Sequence, residues 1–224
     1  DLKPNRLEAA KDVAAEFING RPNDNIGITL FAGETFTQCP LTVDHAVLLD
    51  MIHNIKCGLI TDGTAVGMGI ANAVTRLKDS KAKSKVIILL TDGTNNKGDI
   101  SPMTAAEIAK SFGIRVYTIG VGTNGMAPYP YPVGNTVQYV SMPVEIDEKT
   151  LTEIAGTTDG NYFRATSNSK LKEVYEEIDK LDKPKLNVKE YSKRDEEYHW
   201  FALAAFLCVL LEVLLRNSVL KKIP

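Results

Sequence analysis

One stretch constrains the fold of this chain more than any other. It is the unbroken apolar run Val86-Ile87-Ile88-Leu89-Leu90, closed by Thr91-Asp92-Gly93-Thr94. The run is short, mostly branched, and shows neither a polar break nor helical spacing. That is the pattern of a strand buried on both faces, inside a parallel sheet covered by helices. Its closing turn puts the Asp92 carboxylate just past the C-terminal end of the strand, the edge where open α/β sheets bind ligands. Asp92 is therefore the first candidate functional residue.

Helical and extended patterns alternate around this strand. Residues 5–19 carry Leu7, Ala10, Val13, Ala14, Phe17 and Ile18 on one helical face and stop at Gly20 and Pro22. Strands are predicted over 25–32 and 34–39, and helices over 43–55 and 64–77. After the central strand come a loop over 92–101, a helix over 104–111 and a strand over 115–120. Residues 123–143 break the rhythm with Pro128, Pro130, Pro132 and Gly134-Asn135, which marks an inserted loop or hairpin. Tyr129 and Tyr131 on it are candidates for a partner-binding rim. A helix over 148–155, a strand over 161–164 and a helix over 170–181 complete the pattern. The fold class is α/β: a doubly wound, mostly parallel sheet with helices on both faces.

The chain has 224 residues and a formal net charge of -2, which suits one globular domain with an appendage and gives no reason to expect nucleic acid. Its first residue is Asp1, so it reads as a fragment of a longer protein. Cys39, Cys57 and Cys208 are not spaced as a metal cluster; Cys39 and Cys57 are either two reduced thiols or, in an exported domain, a disulfide. Residues 1–181 are expected to form the domain and 182–197 a charged linker. Residues 198–220 are expected to form a transmembrane helix, long enough for a hydrocarbon core of about 30 Å. Tyr198 and Trp200 suit one interface, and the short basic tail 221–224, with Lys221 and Lys222, suits the other. Glu212 and Arg216, four apart, are spaced to pair along that helix.

Two loops share the tetrapeptide Thr-Asp-Gly-Thr, at 61–64 and at 91–94. The Thr64 hydroxyl and the Asp92 carboxylate are hard oxygen donors of the kind Mg²⁺ prefers. Thr64 also suits the N-cap of the helix it precedes, and Asp92 suits turn chemistry. Asp62 is either a supporting residue of the site or simply solvated. Of the three histidines, His45 and His53 share one predicted helix away from these loops, and His199 falls at the expected membrane boundary. None is placed for acid–base work.

In order and spacing, Arg6-Leu7-Glu8-Ala9-Ala10-Lys11, Asp24-Asn25-Ile26-Gly27-Ile28, Phe31-Ala32-Gly33-Glu34, Gly63-Thr64-Ala65 and Leu89-Leu90-Thr91-Asp92-Gly93 resemble a von Willebrand factor A domain. The resemblance covers residues 1 to about 181. More narrowly, Cys39-Pro40-Leu41-Thr42 and the tail from Trp200 to Pro224 resemble the membrane-anchored aerotolerance (Bat) family of bacteria, of the BatA type. The resemblance implies a metal-ion-dependent adhesion site built from an Asp-x-Ser-x-Ser loop, a threonine and an aspartate. Thr64 and Asp92 take the last two roles. The Asp-x-Ser-x-Ser element has no match in this chain, so the central first strand and that loop are expected to be missing, leaving an incomplete site for Mg²⁺ or Mn²⁺. The resemblance also implies other Bat-type membrane proteins and a MoxR-type ATPase as partners. It further implies a place in the bacterial inner membrane with the domain periplasmic, and binding without catalysis.

The rival class is a Mg²⁺-dependent phosphohydrolase, since a strand ending in Asp-Gly-Thr is similar to the haloacid-dehalogenase motif Asp-x-Asp-Gly-Thr. Here the nucleophile position of that motif is Leu90, which has no attacking group. A nucleotide-binding reading fails for want of a Gly-x-Gly-x-x-Gly element or a phosphate-loop lysine.

Overall fold

The computed structural model describes residues 2–123, 125–133, 136–144, 146–182 and 198–218. The chain divides into two units, Asp1–Pro184 and Lys185–Pro224. In the first, α1 (Arg6–Asn19) leads to the strands β1 (Ile26–Phe31) and β2 (Thr35–Thr42), followed by α2 (His45–His53) and α3 (Val66–Leu77). Then come β3 (Val86–Thr91), α4 (Pro102–Ser111), β4 (Arg115–Val121) and the pair β5 (Gly125–Val133) and β6 (Thr136–Val144). α5 (Glu148–Thr157), β7 (Tyr162–Ala165) and α6 (Asn168–Asp182) end the unit.

The strand pairing is α/β as expected, but in pieces. β3, β4 and β7 form a parallel sheet in the order β3-β4-β7, whereas β1 and β2 pair antiparallel in a sheet of their own. β1 and β3 are not hydrogen-bonded to each other, and α3 packs against both. The apolar run forms β3 with alternating burial. Ile87 and Leu89 are buried in a cluster with α3, α4 and α5, while Val86, Ile88 and Leu90 pack half-buried toward α1 and α6. The second cluster is built from Ala9 and Val13 of α1, Tyr117 and Ile119 of β4, and Leu171, Val174 and Ile178 of α6. A strand of this composition, buried on one face and partly covered on the other, is stabilised chiefly by such burial, at about 25 cal/mol per Å² of apolar surface.

Local chemistry moves several boundaries. The helix expected over 104–111 starts at Pro102, because Ser101 accepts a hydrogen bond from the Thr104 N–H and proline suits the first helical position. The strand expected over 34–39 runs on to Thr42 through Pro40, which is tolerated in a strand that has an edge without ladder bonds. The inserted segment is a hairpin. Pro128, Pro130 and Pro132 stand opposite Ser141, Tyr139 and Val137, so all three occupy one class of ladder position. The side chains of Tyr129 and Tyr131, proposed as a rim, lie outside the described residues.

Lys11 is a buried cation that the helical pattern did not single out. It is 7% exposed, and its Nζ donates to Glu8 Oε1, to the His53 carbonyl and to the Ile55 carbonyl at 3.0, 3.0 and 3.2 Å. The ammonium thus satisfies carbonyls that the end of α2 leaves without helical partners. Cys39 is buried, Cys57 exposed, and both are free thiols. Burial, with a smaller contribution from Asp44, pushes the Cys39 thiol above its usual range.

The second unit contributes α7 (Tyr198–Ser218). Its large apolar side chains, among them Trp200, Phe201, Phe206 and Leu211, are exposed. The expected transmembrane span over 198–220 is not supported. The helix ends at Ser218, residues 219–220 lie outside the described residues, and among the described residues no helix is long and apolar enough to cross a membrane. Glu212 and Arg216 place charge in its last two turns, and charged groups are costly wherever they are held inside hydrocarbon. The linker expected over 182–197 falls, after Asp182, outside the described residues.

Candidate metal centre

The two Thr-Asp-Gly-Thr loops meet at the C-terminal end of β3, as their chemistry suggested. The loop before α3 is held from both sides. On one side the Gly33 N–H donates to the Thr61 carbonyl at 2.7 Å, and the Ala65 N–H donates to the Ala32 carbonyl at 2.7 Å. On the other, the Asn96 N–H donates to the Thr64 carbonyl at 2.9 Å. The side chains of Asn95 and Asn96 complete the clamp: Asn95 Oδ1 accepts from the Val66 N–H at 2.8 Å, and Asn96 Oδ1 from the Thr64 N–H at 2.9 Å.

This clamp settles the alternative role of Thr64. The N-cap residue of α3 is Ala65, without a side-chain cap bond. The asparagines reach across from the Asp92 loop and satisfy amides that a capping hydroxyl would otherwise take, so the Thr64 side chain has no capping duty. It lies against the other loop: a Cβ added at Gly93 would sit 3.1 Å from Thr64 Oγ1. Glycine at 93 leaves this contact uncrowded, where a larger residue would need the hydroxyl to give by a few tenths of an ångström.

Asp92 projects outward, with 58% of its side chain exposed. One carboxylate oxygen, Oδ2, accepts from Arg6 Nη1 at 3.2 Å. Arg6 is the first residue of α1 and is only 18% exposed. It runs along Gly122, which follows β4 with φ +100°; a Cβ there would sit 2.5 Å from Arg6 Cζ. Asp62 Oδ1 accepts from the Gly63 N–H at 3.0 Å, part of the turn that presents Thr64. His45 and His53 stand elsewhere, on α2: the His45 ring pairs with the Asp24 carbonyl, and the His53 carbonyl receives Lys11.

In kind, the donors fit a hard divalent cation, since Thr64 Oγ1 and the Asp92 carboxylate are both oxygen ligands. In number they supply two of the six ligands that an octahedral ion takes. Among the described residues there is no group of three or more His, Cys, Asp or Glu able to hold a metal ion. Thr64 and Asp92 would therefore hold a cation in company with water or further ligands. The sequence reading named Thr64 and Asp92 as candidates but missed their neighbours Arg6, Asn95 and Asn96. The adjacent asparagines directly after a strand-end turn were the available signal, because Asn in such loops bonds backbone amides.

Comparison with known proteins agrees with this architecture. The sequence profile of the von Willebrand factor type A domain matches residues 3–177, and the chain belongs to that family. Within it, the chain groups with Bat proteins. The structure of BatB from Bacteroides thetaiotaomicron is 34% identical, with a TM-score of 0.71, over 81% of this chain and 90% of that one. An aerotolerance-related membrane protein from Bacteroides fragilis is 30% identical, with a TM-score of 0.69, over 80% of this chain and 88% of that one. Proximal thread matrix protein 1 of the mussel byssus, whose adhesion-site motif is occupied by zinc, is 25% identical with a TM-score of 0.61, covering 80% of this chain and 41% of that one. An uncharacterised protein of Borreliella burgdorferi is 27% identical over 220 residues; the chain spans 64% of its length, and 55% of that of a UPF0353 protein from Mycolicibacterium paratuberculosis.

Proposed function

We propose that this domain recruits protein partners through a divalent cation, Mg²⁺ or Mn²⁺, to which Thr64 Oγ1 and Asp92 supply protein oxygens. The observation that carries the reading is the closure of the two loops. A hydroxyl released from capping and a carboxylate exposed at the strand end are held on one clamped frame. When bound, the ion would offer a coordination position to an acidic side chain of a partner. Thr64 contributes no charge and Asp92 only one negative charge, so these ligands leave such an ion electrophilic. Leu90, where the rival hydrolase motif requires a carboxylate, favours binding over group transfer. Occupation of this motif by zinc in the mussel relative supports a divalent ion here.

The partners in this proposal are other Bat-type membrane proteins and a MoxR-type ATPase, and the place is the inner membrane with the domain periplasmic. The naming of the Bacteroides fragilis relative as a membrane protein and the exposed apolar surface of α7 support membrane attachment. Binding to purified Bat-type partners should fall at least about tenfold when Mn²⁺ is replaced by chelator. Equal binding with and without the ion would sink the metal reading. For the location, Cys57 is the useful probe, being exposed where Cys39 is buried. In a Cys208→Ser background, an impermeant maleimide should label Cys57 in intact cells. Labelling only after lysis places the domain on the other side.

A further inference from the structure

Arg6 touches the candidate site through Asp92 without being able to ligate a cation itself. Its guanidinium is seated rather than loosely exposed. The α1 start is fixed by Asn5, whose side chain accepts from the Glu8 N–H at 2.8 Å. The side chain then lies in a slot that only glycine at 122 leaves open, with its Nε 2.6 Å from where a Cβ would stand. From that slot Nη1 reaches Asp92 Oδ2 at 3.2 Å. A carboxylate oxygen engaged by a guanidinium at hydrogen-bonding distance has its lone pairs directed at that cation. A divalent ion taking the same carboxylate at about 2.0–2.1 Å meets a fixed positive charge within a few ångströms, and like charges at that range repel even through water.

We propose that Arg6 sets the cation affinity of this site by competition: it holds Asp92 when no ion is bound, and a divalent cation binds by displacing its guanidinium from Asp92 Oδ2. The inference rests on the Thr64–Asp92 reading given above. It makes ion entry an exchange of one cation for another, so the site responds to divalent concentration at a threshold that Arg6 raises. The opposite role is a definite rival. If Arg6 instead orients the carboxylate for the metal from behind, as the outer partners of metal ligands do, removing it would weaken binding.

The test is a Mn²⁺ titration of the full 224-residue chain, followed by water-proton relaxation. The variants are wild type, Arg6→Gln, Arg6→Lys, Asp92→Ala and the double variant Arg6→Gln/Asp92→Ala, with thermal unfolding verifying that each is folded. Competition predicts that Arg6→Gln binds Mn²⁺ about three- to tenfold more tightly than wild type. Arg6→Lys, which keeps the charge, should stay near wild type, and the double variant should bind no better than Asp92→Ala. Equal or weaker binding by Arg6→Gln, while Asp92-dependent binding persists in wild type, overturns the role of Arg6 and leaves the site standing. Absence of Asp92-dependent binding in every variant overturns the site and this inference with it.

Discussion

Asp92→Ala abolishes divalent-dependent partner binding and leaves the fold standing: this is the expected result with the largest functional effect. The carboxylate is the single formal negative charge that this chain is proposed to bring to the ion. Losing a direct ligand should exceed the 10- to 100-fold typical of losing an outer partner, so a loss of about a hundredfold or more in Mn²⁺ affinity is expected. The cost to folding is small by comparison. The side chain is 58% exposed, and its ion pair with Arg6 falls in the class of surface pairs that contribute about 0–1 kcal/mol. Thr64→Ala should show the same effect at smaller size, about tenfold, because a neutral hydroxyl is lost. Mn²⁺ titration and thermal unfolding of the same samples decide the matter. Binding that survives both substitutions places recognition on another surface.

A large loss of stability is expected from Gly67→Ala. Gly67 lies in the first turn of α3, and a Cβ there would stand 2.1 Å from the Ile100 carbonyl oxygen and 2.8 Å from the Ser101 carbonyl carbon. Both obstacles are backbone, so no rotamer change relieves the overlap. Overpacking of this kind costs about 1–3 kcal/mol and occasionally more, and backbone contact puts this case at the upper end. In a chain of this length about 3 kcal/mol lowers Tm by about 6–12 °C. Because the loop that carries Asp92 runs into Ile100 and Ser101, Mn²⁺ affinity should fall along with stability. Gly156→Ala is the control. It lies within α5, and nothing stands within 4 Å of the added carbon, so it should stabilise by about 0.4–1 kcal/mol. Differential scanning calorimetry of the two variants measures the contrast, and a Gly67→Ala protein that melts with wild type removes the close-packing account.

What the sequence reveals about this protein depends on how local the cause is. β3 is legible because a continuous apolar run has few other destinations, and Asp92 is legible because the turn follows directly. The start of α3 is not. Nothing near Thr64 and Val66 in sequence indicates that their amides are served by Asn96 and Asn95, some thirty positions later. Lys11 shares the helical face of Leu7, Ala14 and Ile18, yet a lysine there reads as one whose ammonium reaches out to solvent. Only the arrival of the α2 terminus, from more than forty residues away, explains its burial. Arg6 was legible as part of a family-like motif but not as a neighbour of Asp92, since nothing near it in sequence carries that information. The division of the strands into separate sheets was equally hidden: hydrophobic alternation reports which residues are covered, not which edges are joined.

The alternating prolines of β5 bear on how copies of this protein behave at high concentration. A hairpin keeps its own ladder only if residues without an N–H sit where the donor would have faced outward. Pro128, Pro130 and Pro132 share that class of position, so the outer rim of β5 is left with acceptors and few donors. A foreign strand laid along it would find half of its partners absent. The segment thereby resists templated fibre growth through chemistry written into its covalent backbone, with no neighbouring element needed to shield it.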